Sequence, residues 1–129
     1  GASMNLMGIL GGLGLFMVGG AYLMVANQGA AGLITRNGAM GIRTKKTQSS
    51  DAAWDAAHYA AAPLVRTLGF VSLVFGAALV FSGVVWRQED PPGITVLLFA
   101  LGYGSVLLSN IPLVIKANAA VVSAHETQD

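Results

Sequence analysis

Three stretches of this chain run for about twenty residues almost without charge, and nothing else in it constrains the fold as tightly. Leu6 to Ala26 carries no charged residue, Leu64 to Trp86 carries only Arg66, and Ile94 to Ile115 carries none. An α-helix rises about 1.5 Å per residue, so about 20 apolar residues cross the roughly 30 Å of bilayer hydrocarbon. Only 10% of the 129 residues are charged, against about 25% in an ordinary soluble domain. Lipid is the solvent this composition suits. The expected architecture is an all-α membrane protein, a three-transmembrane-helix bundle folded as one domain.

The ends of these stretches carry interface residues. Arg66 is close enough to the start of its span to extend into the headgroups, and Trp86 and Arg87 mark the opposite interface. Two prolines, Pro91 and Pro92, end any helix in the short turn from Arg87 to Gly93. A signal peptide is the competing reading of the first stretch, but no basic region precedes it and no convincing cleavage site ends it. Gly1, Ala2 and Ser3 ahead of Met4 read as a remnant of cloning, which leaves residues 4–129 as the domain and 117–129 as a tail.

Charge placement predicts orientation. Arg36, Arg43, Lys45 and Lys46 all fall between the first two spans, whereas Arg87 is alone in the second connection. The positive-inside bias therefore puts the first connection and the C-terminus in the cytoplasm, and the N-terminus outside. No basic face large enough to neutralise several phosphates exists, so nucleic acid is not an expected partner. The chain has no cysteine, which removes disulfides and thiolate chemistry.

Small residues mark candidate helix contacts, because in lipid close backbone approach supplies the packing. Gly8 and Gly12 form a GxxxG in the first span; Gly69, Ser72, Gly76 and Gly83 share a stripe of the second; Gly102, Ser105 and Ser109 line one side of the third. Intramolecular packing takes the larger share of this signal, with a homo-oligomer as the other use. Asn110 within the third span needs a hydrogen-bond partner and reads as packing glue, next to Pro112.

The connection from Asn27 to Pro63 is far longer than the two to eight residues that usually join packed helices. Ser49, Ser50 and Asp51 are N-cap types, and the alanine-rich run that follows ends at Pro63. A short helix from about Ser50 to Ala62 is predicted, lying at the membrane surface with Trp54 as its anchor. Gly41 permits a tight turn beside Arg43, whose guanidinium is expected to fix the loop, with Asp51 or Asp55 as partner.

The string N-G-A-M-G-I-R-T-K-K-T-Q-S-S-D-A-A-W-D-A-A-H, Asn37 to His58, resembles the signature of the SdpI family of bacterial membrane proteins. The matching positions are Asn37, Gly41, Ile42, Arg43, Thr47, Ser50, Asp51, Trp54 and His58, in the family's order and spacing; Lys46 stands where the family often has an aromatic residue. The resemblance implies a multi-pass protein of the bacterial cytoplasmic membrane. It further implies an immunity or signalling role: resistance to a membrane-active peptide toxin, or sensing of it through a cytoplasmic or membrane partner protein. The founding member is longer, with additional spans.

Other chemistries are weaker. His58 with Asp51 and Asp55 could face one metal, but zinc wants three or four ligands and only His125 remains. The plainer reading is that Asp55 orients His58. A lone histidine without a nucleophile or paired acid does not make an enzyme, so neither catalysis nor a cofactor is expected. The rival readings are a small oligomeric transporter or channel subunit, and a lipid-binding or enzymatic site around Arg43 and His58.

Overall fold

The computed structural model describes residues 5–36, 38, 40–87 and 90–128, with side chains as far as Ser123. Three α-helices account for most of them: α1 (Leu6–Ala30), α2 (Asp51–Val85) and α3 (Gly93–Gln128). Each contains a stretch long and apolar enough to cross a membrane. No strand occurs among the described residues. The chain divides into two compact units, one formed by the chain through Ala21 with Leu68–Leu108, the other by Tyr22–Thr67 with the chain from Ser109 onward.

In the first unit, α1 lies against α2 at the small residues picked out from sequence. A Cβ on Gly8 would come within 2.7 Å of the Gly83 nitrogen, and one on Gly12 within 2.5 Å of the Gly76 carbonyl oxygen. Such spacing excludes side chains on both helices, so backbone packing holds the pair. On α3, a Cβ at Gly102 would meet Leu15 at 2.8 Å. Outward from these contacts the unit shows Leu10, Leu13, Phe70, Val74, Phe81 and Leu101, a surface that suits acyl chains and not water.

A polar cluster within this unit escaped sequence reading. Asn5 is buried; its side-chain amide donates to Thr95 Oγ1 at 2.9 Å, and the Thr95 hydroxyl donates to Ser82 Oγ at 3.1 Å. Ser82 donates in turn to the Leu79 carbonyl at 2.8 Å. Asn5 also caps α1, accepting from the Gly8 N–H at 3.3 Å. Both hydroxyls of the cluster thus have partners, as a low-dielectric setting demands. The signal was weak because the partners are up to 90 positions apart.

The second unit holds the end of α1, the connection, the start of α2 and the second half of α3. Here α1 runs a turn past the predicted end of its span and closes at Gly32, where φ is +70°. Leu33 N–H donates to the Gln28 carbonyl at 2.8 Å and Gly32 N–H to Gly29 at 3.2 Å, the paired bonds of a Schellman cap that glycine allows at little steric cost.

The predicted short surface helix is not a separate element. Its residues are the first turns of α2, which passes through Pro63 without ending. An interior proline removes one helical bond and costs about 3 kcal/mol, but Pro63 faces outward while Ala61, Ala62 and Val65 beside it are buried. Packing on both sides of the proline outweighs the lost bond. Nor does this face lie on a membrane: Ala53, Trp54, Ala57 and Ala61 are buried within the protein. Likewise α3 passes through the outward-facing Pro112, and the segment read as a tail is helical, burying Ala117 and Val121 one and two turns beyond the buried Leu113.

Candidate functional site

The signature residues come together in the second unit, beginning at Gly41. Its φ is +122°, and a Cβ there would approach both Trp54, at 2.6 Å, and His58 Nε2, at 2.8 Å. Conformation and space therefore both require glycine. The Ile42 N–H that follows donates to His58 Nε2 at 2.8 Å, and His58 Nδ1 lies 2.8 Å from the Trp54 carbonyl. One tautomer satisfies both contacts: a neutral imidazole that donates from Nδ1 and accepts at Nε2.

Burial pushes the His58 pKa below its ordinary value, and the positive charge of Arg43 acts in the same direction; the Trp54 carbonyl and Asp55 oppose them. His58 stands ahead of the apolar stretch that begins at Leu64. Asp55 is exposed; the expectation that it orients His58 gives way to a clamp made of the Trp54 carbonyl and the Ile42 amide.

Trp54 is 1% exposed and donates from Nε1 to the Ile34 carbonyl at 2.9 Å, so it pins the connection to α2. The expected membrane anchor is instead a core residue, because an indole with its N–H satisfied by backbone loses nothing by complete burial. Its ring lies 4.1 Å from that of His58, and Arg43 sits 5.1 Å above it.

Arg43 does fix the loop, but not through a carboxylate. Its guanidinium donates to the carbonyls of Arg36, at 2.9 Å, and Met40, at 3.3 Å. The ion pair belongs to Arg36, whose Nε lies 3.2 Å from Asp51. Thr47 is wholly buried; its hydroxyl donates to the Ile42 carbonyl at 2.7 Å and accepts from the Thr44 N–H at 2.9 Å. Ser50 caps α2 as its residue type predicted, its Oγ accepting from Ala53 N–H at 3.0 Å.

Two contacts between residues outside the matched positions complete the unit. Thr44 donates to Asn118 on α3 at 2.7 Å, a contact hidden from sequence reading when 117–129 is taken as a tail. Tyr22 donates to Asn110 at 3.2 Å, which gives the intramembrane amide the partner it required. Asn37, also part of the signature, lies outside the described residues, as does the side chain of His125. Among the described residues no group of three or more His, Cys, Asp or Glu is placed to hold a metal.

Three apolar helices, with a tightly hydrogen-bonded connection between the first two, define a multi-pass membrane protein. The chain matches the SdpI/YfhL protein family over residues 33–117, most of its length, and belongs to that family. Comparison with curated proteins and with solved structures gives no match.

Proposed function

We propose that this SdpI-type protein acts without catalysis in the bacterial cytoplasmic membrane, conferring resistance to, or sensing, a membrane-active peptide through its first connection. In this reading the connection and the C-terminus face the cytoplasm, as the positive-inside bias favours. The observation that carries it is a division of labour within the signature. Gly41, Thr47, Trp54 and His58 point inward and build the loop, while Arg43, Lys45, Lys46, Asp51 and Asp55 stand exposed on it. A connection serving only as a tether would have no need of such a scaffold. A rigid charged surface of this kind suits recognition of a peptide or of a partner protein.

The test is a deletion strain exposed to a panel of membrane-active peptides and complemented with wild type, Arg43→Ala or His58→Ala. Deletion is expected to raise sensitivity to at least one peptide. Arg43→Ala should fail to rescue while still reaching the membrane, and His58→Ala should lower the amount of folded protein. Unchanged sensitivity across a broad panel would count against the proposal, and ion flux through purified oligomers in vesicles would favour a channel subunit instead.

A further inference from the structure

Within the second unit a cavity of about 270 Å³ opens between the connection and the three helices, walled by Tyr22, Arg43, Thr44, Val65, Asn110 and Leu113 among others. Its walls are mainly apolar and its polar groups few, the usual make-up of a small-molecule site. The helical residues that line it all fall near the same ends of their predicted spans: Tyr22 shortly before Ala26, Val65 next to Leu64, Leu113 shortly before Ile115. That is the depth at which lipid phosphates meet the first methylenes of the acyl chains.

Charge decides the occupant. Among the described residues an ion pair joins Arg36 to Asp51, and none joins Arg43 to a carboxylate. Arg43 donates to neutral oxygens: the Arg36 and Met40 carbonyls and the Gln48 side chain. Among the described residues no carboxylate pairs with this guanidinium, and Arg43 is one of the residues that line the apolar cavity. An anionic oxygen above a hydrocarbon chain complements both features.

We propose that this cavity holds the phosphate and upper acyl chain of an anionic phospholipid drawn from the surrounding bilayer, with Arg43 on the phosphate and Val65 and Leu113 on the chain. The site does not depend on the peptide-recognition reading, and its test needs no toxin.

Purified protein is exchanged into mixed phosphatidylglycerol and phosphatidylcholine, and the lipid retained after release is measured by native mass spectrometry, with a thermal melt on each variant. Phosphatidylglycerol should be retained over phosphatidylcholine, and Arg43→Gln should reduce that preference about tenfold. Val114→Trp, which fills the cavity from α3, should abolish retention of both lipids. Lys45→Gln with Lys46→Gln should leave the preference in place, since neither lysine lines this cavity. Equal retention of the two lipids by wild type would overturn the proposal, as would unchanged retention in a Val114→Trp protein of normal melting temperature. Displacement of the lipid by inorganic phosphate alone would replace it with a free-phosphate site. Should Arg43→Gln fail to fold, the wild-type preference and Val114→Trp still decide the matter.

Discussion

His58 joins two segments through one ring, so its loss should be felt at a distance in sequence. Replacing it by alanine leaves the Ile42 N–H without its acceptor, which costs about 1–3 kcal/mol when the group stays away from water. The expected result is a lower melting temperature in detergent together with faster hydrogen exchange at the Ile42 amide. Acidification should act on the same bond. Because the folded protein holds the His58 pKa below the ordinary 6.5, the unfolded chain takes up a proton first as pH falls. The contribution of this group to stability is then fully present above about pH 6.5, declines below it, and is lost as pH passes the lowered folded value. Melting temperatures measured from pH 7.5 to 4.5 should fall more steeply in wild type than in His58→Ala, and parallel curves would rule out this histidine as the source.

At the scale of elements, glycines of the same type should behave in opposite ways. Gly12→Ala would press a methyl against the Gly76 carbonyl and the Val80 backbone, whereas Gly104 has open space where its Cβ would stand. The first substitution should destabilise by about 1–3 kcal/mol. The second should be neutral or stabilising by up to about 1 kcal/mol, since alanine is the better helix former. Unfolding in mixed detergent micelles measures both, and equal effects would mean that the α1–α2 approach is not limiting. The pairing of these glycines was legible in sequence because close approach in lipid needs small residues at helical spacing. Helix ends were less legible: Pro63 read as a stop and residues 117–129 as a tail, and it is packing, of Ala61, Ala62 and Val65 on α2 and of Ala117 and Val121 on α3, that carries the two helices on. For the face of Trp54, Ala57 and Ala61, spacing showed that it was apolar, but an apolar face serves membrane and protein interior equally well. Ala53 and Val65, buried on either side of it, are what decide for the interior.

For the whole molecule the remaining question is which side of the membrane each end of a span faces, and the lysines offer a direct reading. The chain has three, Lys45, Lys46 and Lys116; the first two lie in the first connection and the third follows the third span. An odd number of crossings separates the N-terminus from the first connection, and two further crossings return the chain to the connection's side before Lys116. If the basic connection is retained in the cytoplasm, as its excess of Lys and Arg over the Arg87 turn favours, all three lysines are inside. Intact cells treated with a membrane-impermeant amine reagent should then leave them unlabelled. Lysing the cells should expose Lys45 and Lys46, both of which have exposed side chains. A Gln88→Lys variant places one lysine in the opposite turn and should be labelled without lysis, which shows that the reagent reaches the protein at all. Labelling of Lys45 in intact cells with Gln88→Lys protected would invert the topology, and with it the side from which any peptide or partner could reach Arg43.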